Sequence, residues 1–256
     1  MRGNEARYVA RGELEGVKGV VVAIDVLRAF TTAAYAFAAG ATAIWLVAGI
    51  EEAIELGRSI PGALVMGEIR GQRPPGFDLS NSPVAASQAE LAGRELVQRT
   101  SAGTQGAIAA VDADRLFVAS LVNASATAAA INQAIDDDGY DAPTYVITGR
   151  FPDHPAGGED DVITAQYIER VRRGRPRRVA ATSNAVMTSP EAAHTLEAGA
   201  GHVHPDDIVF AIAIDRFDFA MEVERTQGRL RVTRRDPTTT SRANTNTGVR
   251  RGGSAR

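Results

Sequence analysis

Five segments concentrate the residues capable of chemistry. The first reads Asp25-Val26-Leu27-Arg28-Ala29-Phe30-Thr31-Thr32. Asp25 stands where an apolar run ends, Arg28 follows, and the two threonines open an Ala-rich stretch. A carboxylate, a guanidinium and a helix N-terminus within one turn suit a metal ion together with a phosphate. The same residues also suit an Asp closing a strand and a Thr capping a helix. The second segment, Gly67 to Pro83, is long for a connection inside a compact domain, as functional or disordered loops are. Phe77 and Leu79 can anchor it, and it carries Glu68, Arg70, Arg73, Asp78 and Asn81. Hard oxygen ligands beside arginines fit a Mg²⁺ site; an Asx/Pro turn with solvated charges is the plainer reading.

The third segment, Thr100-Ser101-Ala102-Gly103-Thr104, lies between a strand pattern and a helix pattern. Its hydroxyls and glycine amide suit an anion cradle. It is not a P-loop, because GxxxxGK[ST] is absent and the lone lysine, Lys18, lies elsewhere. The fourth segment, Ser120 to Ser125, repeats the arrangement around Asn123, for which an N-cap role is the simple reading. The fifth runs from Gly149 to Glu159-Asp160-Asp161, where acids complement a helix dipole and Asp160 adds a carboxylate to the same strand-end side. The four histidines, His154, His194, His202 and His204, form no HExxH and no Ser–His–Asp pattern. His202 and His204 alternate and could bind metal, although loop histidines are commonly plain surface groups.

The elements that must position these groups follow an alternating pattern. Strands are expected at Val20–Ile24, Ala43–Val47, Leu64–Met66, Leu96–Arg99, Leu116–Val118 and Tyr145–Thr148. Between them fall helices at Thr32–Ala39, Ile50–Ser59, Val84–Ala92, Gln105–Val111, Ala124–Asp136 and Asp160–Arg172. Such alternation predicts an α/β fold, three-layer α/β/α with a mixed, largely parallel sheet covered on both faces. After Gly174 the pattern changes: a helix over Ser189–Ala198, a long apolar strand over Ile208–Ile214, and a C-terminal hairpin of Phe219–Glu224 and Leu230–Thr233 around Gln227-Gly228. Residues 1–235 are expected to form a single domain. Residues 236–256 are expected to be a disordered basic tail, with Arg242, Arg250, Arg251 and Arg256 against Asp236.

Composition narrows the chemistry further. The 256 residues include no cysteine, which excludes disulfides, Cys-ligated zinc, iron–sulfur clusters and a thiolate nucleophile. A formal net charge of −3 argues against nucleic acid as a bulk partner. No stretch approaches a membrane span, and Met1 to Glu15 lacks an apolar signal region, so a cytoplasmic protein is expected. The partner read from the residues is a small anionic phosphate-ester substrate handled with Mg²⁺, in a chain that could form a homo-oligomer.

The same residues resemble a known family. Asp25 to Thr32, Gly67-Glu68, Gly76-Phe77-Asp78-Leu79-Ser80-Asn81-Ser82-Pro83, Thr100 to Thr104, Ala119 to Asn123 and Glu159-Asp160 look like the ordered motifs of the 2-phosphosulfolactate phosphatase (ComB-like) family. His204-Pro205-Asp206-Asp207 and Asp215 to Glu222 resemble its C-terminal segment. The resemblance spans about residues 15 to 235, and its specificity lies in the order of motifs that are individually weak. It departs at Ala102, where members usually carry Asn, and at Ser80, where they often carry Gly. It implies a Mg²⁺-dependent acid phosphatase of three-layer α/β/α fold, converting 2-phospho-3-sulfolactate to 3-sulfolactate and phosphate in coenzyme M biosynthesis.

Taken together, Mg²⁺ would be held by some of Asp25, Glu68, Asp78 and Asp160. Asp25, Arg28 and Asp78 are the catalytic candidates. Thr31, Asn81, Thr100, Ser101, Gly103, Thr104 and Asn123 would bind substrate or phosphate, and Arg70 or Arg73 would read a sulfonate or carboxylate. The nucleophile is either water or Asp25, with water favoured because Leu27 occupies the place of a second acid. Two rival functions fit the same residues: a non-catalytic sensor of a phosphorylated or sulfonated metabolite, and a transferase using the same anion site.

Overall fold

The computed structural model describes residues 5–151, 156–198 and 201–237. His154 and residues 238–256 of the expected tail lie outside the described residues. In chain order the elements are β1 (Arg7–Ala10), β2 (Val20–Ile24), α1 (Ala29–Ala38), β3 (Ala43–Leu46), α2 (Ile50–Ser59), β4 (Leu64–Gly67), β5 (Leu79–Ser80), α3 (Pro83–Gln88) and β6 (Glu95–Arg99). They continue with α4 (Gly103–Ala109), β7 (Arg115–Ala119), α5 (Ala124–Asp138), β8 (Thr144–Ile147), α6 (Glu159–Arg172), α7 (Val179–Met187), α8 (Pro190–Ala198), α9 (Asp207–Ala211), β9 (Ala220–Thr226) and β10 (Arg229–Arg235).

These strands form one sheet in the order β1-β8-β2-β7-β9-β10-β3-β6-β4-β5. The alternation expected from the sequence sorts its two faces. Val21 and Ala23 of β2 face α1 and α4, while Val20, Val22 and Ile24 face α5 and α6. Trp45, Val65 and Val97 continue the second face beneath α2. Every residue of β2 is buried, as a strand covered on both sides must be.

The C-terminal hairpin forms as expected but is not an appendage. It lies at the centre of the sheet, where β9 pairs with β7 and β10 pairs with β3, both antiparallel. Its two-residue turn puts Gln227 at φ 54° and Gly228 at φ 75°, the doubly left-handed backbone that matches strand twist and favours glycine at the second place. The hairpin makes three successive antiparallel pairings. The parallel set β1-β8-β2-β7 therefore runs opposite to the parallel set β3-β6-β4-β5. Strand-to-strand twist of about 20–25° per step, over the five steps from β2 to β6, turns the ladder through roughly a right angle or more. The curl brings the C-terminal ends of β2 and β6 together: Gln98 Nε2 of β6 donates to Ala29 O at the start of α1 at 2.9 Å.

One expected element is corrected. Ile208–Ile214 is not a strand; Asp207–Ala211 is a short helix, followed by turns. A short apolar run does not distinguish a strand from a buried helical turn by period alone. Here Asp207 opens the helix with its carboxylate turned inward, and Phe210 packs on Tyr35 with ring centroids 4.8 Å apart. Three elements were not expected: β1, which extends the sheet beside β8; β5, two residues of the Gly67–Pro83 segment that pair with β4; and α7, whose sequence VAATSNAVM buries only Thr182 and Val186. Among the described residues no helix is long and apolar enough to cross a membrane.

The central place of the hairpin has a stability consequence. Met221 of β9 is fully buried, so Met221→Ala is expected to cost about 2–5 kcal/mol in chemical denaturation. Val209→Ala, at a position 59% exposed, should stay within about 0.5 kcal/mol of the parent. Equal effects would show that the hairpin is not built into the core.

Candidate active site

Asp25 leaves β2 and is 5% exposed. Its Oδ1 accepts the Ala29 N–H at 2.8 Å, the first amide of α1, and the Gly103 N–H supplies a further backbone donor. The approach of α4 requires glycine: a Cβ on Gly103 would sit 2.6 Å from Asp25 Oδ2 and 2.6 Å from Ala29 Cβ. Asp25 thus reads as strand-closing and helix-capping and also as a buried charge between two helix starts. Burial, aided by Glu68, pushes its carboxyl up to about 6 against the opposing pull of the Ala29 and Gly103 amides and Arg28.

Two further carboxylates share that environment. Asp160 and Asp161, in the first turn of α6, are each 3% exposed. Asp161 ties three elements together: Oδ1 accepts Val26 N–H at 3.1 Å, and Oδ2 accepts Gly149 N–H at 2.9 Å and contacts Thr148 Oγ1 at 3.3 Å. Burial raises both carboxyls well above the usual range. Glu191 and Asp25 raise Asp160 further, and Asp160 and Asp25 do the same to Asp161. Glu191 itself caps the start of α6, with Oε1 accepting Gly158 N–H at 2.8 Å. Like charges within one enclosed volume call for a proton or a cation.

Glu68 stands at the corner between β4 and β6. Its carboxylate accepts Ser101 N–H at 2.6 Å, Gly71 N–H at 2.8 Å and Ser101 Oγ–H at 3.2 Å. The Arg70 N–H in turn donates to Ser101 Oγ at 3.1 Å, leaving the Arg70 side chain exposed over this corner. Thr100 and Thr104 spend their hydroxyls on each other's turn: Thr104 N–H donates to Thr100 Oγ1 at 3.0 Å and Thr104 Oγ1 donates to Thr100 O at 2.9 Å. Ser101, Gly103 and Thr104 therefore shape the corner rather than forming an open row of hydroxyl donors.

The acid that fixes Arg28 was not singled out as a site residue from sequence. Arg28 is buried, and its Nη1 donates to Asp207 Oδ2 at 2.7 Å. Asp207 is fully buried and also accepts Ser82 Oγ–H at 2.6 Å, His204 N–H at 3.1 Å and Val84 N–H at 3.4 Å. It locks the Arg28 guanidinium to the starts of α3 and α9. Arg28 keeps four further N–H donors. The signal lay in the His204-Pro205-Asp206-Asp207 motif, but the apolar run after it reads as a strand, which hides the inward carboxylate.

Other expected site residues fall into supporting positions. Thr31 Oγ1 donates to Val26 O at 2.7 Å and lies 2.9 Å from Ser120 Oγ. Asn123 Oδ1 caps Ser120 N–H at 3.1 Å, while its buried amide nitrogen has no partner. Asn81 is buried, with Oδ1 3.5 Å from Gln98 Nε2. Asp78 is exposed; its Oδ2 accepts Val65 N–H at 2.8 Å, and Arg73 Nη1 donates to Asp78 O at 2.9 Å. Among the described residues no hydrogen bond joins Asp78 to Asp25, Glu68 or Asp160. A 440 Å³ cavity lined by Arg73, Asp78, Ser82, His202 and His204 opens beside the Asp207 anchor.

No three acidic or imidazole side chains among the described residues converge closely enough to cage an ion by themselves. The donor set nevertheless fits Mg²⁺. That ion is commonly held by one or two carboxylates, with water and substrate phosphate completing its octahedron. Asp25 and Asp160, with Glu68 beside them, supply hard oxygens whose mutual repulsion a divalent cation would relieve.

The 2-phosphosulpholactate phosphatase family profile matches residues 8–225. A protein of Bacillus subtilis (strain 168) named "Probable 2-phosphosulfolactate phosphatase" is 32% identical over 205 residues, covering 80% of this chain and 86% of that protein. Proteins of the same name from Carboxydothermus hydrogenoformans and Thermus thermophilus are 46% identical over 108 residues and 41% identical over 121 residues. Those alignments cover 42% and 47% of this chain and 44% and 50% of the relatives.

Two measurements test this geometry. Between the ordinary carboxyl value of 3.8 and about 6, the unfolded chain has released the Asp25 proton while the folded chain still holds it. Stability therefore declines as pH rises through that window, and Asp160 and Asp161 extend the decline upward. In chelator, Tm should fall as pH rises from 3.8 to about 6, and less steeply in Asp25→Asn; parallel profiles would contradict the burial of this charge. Asp207→Ala, which strands Arg28, should cost about 3–5 kcal/mol in denaturant unfolding, with Asp207→Asn milder. A loss below about 1 kcal/mol would mean that the pair is solvated.

Proposed function

Because the chain belongs to the 2-phosphosulfolactate phosphatase family, we propose that it hydrolyses 2-phospho-3-sulfolactate to 3-sulfolactate and inorganic phosphate with the aid of Mg²⁺. The observation that supports this most is the enclosed set Asp25, Asp160 and Asp161 beside the buried Arg28 guanidinium. Carboxylates forced together raise the affinity for a cation, and a fixed guanidinium adds an anion site next to it.

Asp25, Asp160 and Glu68 would hold the metal. Once bound, Mg²⁺ supplies charge neutralisation at the phosphoryl oxygens and at the leaving oxygen. Arg28, fixed by Asp207, orients the phosphoryl group through its remaining N–H donors. Leu27 stands where a second acid would serve an aspartyl-phosphate, so we assign attack to water. The water oxygen bonds to phosphorus as the P–O ester bond breaks, and the leaving oxygen takes up a proton to give the free hydroxy acid. Exposed Arg70, next to the Glu68 corner, and exposed Arg73, on the cavity beside Asp207, are assigned to the substrate's sulfonate or carboxylate. The same reading places the step in coenzyme M biosynthesis.

The test is phosphate release from a panel of phosphorylated hydroxy acids, with Mg²⁺ and with chelator. Release should require Mg²⁺, be highest for 2-phospho-3-sulfolactate, and fall by about a thousandfold or more in Asp25→Asn with Tm retained. Absence of release from every compound, together with a Tm rise on adding them, would instead assign a sensor.

A further inference from the structure

A second charged feature lies at the far end of α6 and takes no part in the proposed reaction. The segment Arg170-Val171-Arg172-Arg173-Gly174-Arg175-Pro176-Arg177-Arg178 holds six arginines in nine residues. Three of them are committed: Arg172 and Arg173 both bind Glu169, at 2.7 and 2.5 Å, and Arg177 pairs with Asp215 at 3.3 Å. Arg170, Arg175 and Arg178 make no side-chain hydrogen bond or ion pair among the described residues.

Those three guanidiniums line a concave space of about 620 Å³ between β1, α6 and α7, together with Tyr8, Gln166 and Tyr167. Its size lies within the range of small-molecule sites. Charge is unbalanced there. Arg170, Arg173, Arg175 and Arg178 face Glu5 and Glu169 on its wall, and Glu169 is already neutralised, its carboxyl held below the usual range by Arg172 and Arg173 against the opposing effect of burial. Tyr167, which borders the space, is 2% exposed, and its hydroxyl is buried with no partner. A buried hydroxyl left unmade costs about 1–3 kcal/mol.

We propose that this hollow is a second anion-binding site, separate from the Asp25 cluster, for a compact metabolite carrying several phosphate groups. The guanidinium forks of Arg170, Arg175 and Arg178 bind adjacent phosphates bidentately, which a point charge cannot do. The limited volume favours a small polyanion over an extended polymer. Along α6, Arg170 lies nine residues from Asp161, about 14 Å at helical rise, so one ligand of this size does not fill both places.

The probe is inorganic tripolyphosphate, titrated calorimetrically into the full-length protein without divalent cation. Saturable binding is expected for the parent and for Arg28→Ala. The triple variant Arg170→Ala/Arg175→Ala/Arg178→Ala should bind at least about tenfold more weakly, the equivalent of one charge-assisted contact or more. Arg178→Glu alone, at an exposed position, gives the same reading if the triple variant does not fold. Phosphate release from 2-phospho-3-sulfolactate without added polyphosphate should be unchanged in these variants. The proposal is overturned by absence of saturable binding to the parent, by equal binding to the triple variant, or by loss confined to Arg28→Ala. Because the readout is binding, a failure of the phosphatase reading is seen separately.

Discussion

The structure is organised around the burial of Asp25, Asp160 and Asp161 in one another's field. Each taken alone would be a strand-closing or helix-starting acid. Together, out of water, they repel, and their carboxyls rise accordingly. The fold holds them there with backbone donors: Ala29 and Gly103 for Asp25, Val26 and Gly149 for Asp161. Those donors come from the starts of α1 and α4 and from the loops after β2 and β8. The sheet must therefore deliver strands of opposite direction to one place. The central hairpin reverses the direction, and the accumulated twist restores the meeting of the ends.

The second constraint is the Arg28–Asp207 pair. A buried guanidinium needs a buried acid, since leaving one partner alone costs several kcal/mol. Asp207 meets that need and also gathers Ser82 and the backbone of His204 and Val84. The C-terminal third of the chain is thereby part of the site, although it contributes little to the central alternation of strands and helices. A charge on Arg28 held in one direction is what the anion proposed for the Asp25 corner would require.

Much of this was legible in the sequence. The β-branched run Val20–Ile24, the amphipathic Ile50–Ser59 and the Ala/Ile helix from Ala124 carry strong local patterns, and each forms close to its expected place. Asp25, Glu68 and Asp160 were visible as acids at strand-end loops. What stayed hidden was long-range. Nothing local says that Gln227-Gly228 closes a hairpin at the centre of the sheet, because strand order is a tertiary property. The run Ile208–Ile214 is apolar in either conformation, so its helix, and with it Asp207, escaped notice. Asp161 reads as one of three helix-start acids, and only the fold shows it bonded to Val26 and Gly149. Asp78, equal to Glu68 in the sequence, is instead turned to the backbone of Val65.

We propose that these carboxylates form a Mg²⁺ and phosphate centre. Its most direct test is a crystal structure of the protein grown with Mg²⁺ and a non-hydrolysable phosphonate analogue of the substrate. The account predicts an ion about 2.0–2.1 Å from an oxygen of Asp25 and from an oxygen of Asp160 or Glu68, with Arg28 donating to the phosphonate while still bound to Asp207. An ion held elsewhere, or a phosphonate bound away from Arg28 with Asp25 making no contact to metal, would contradict it.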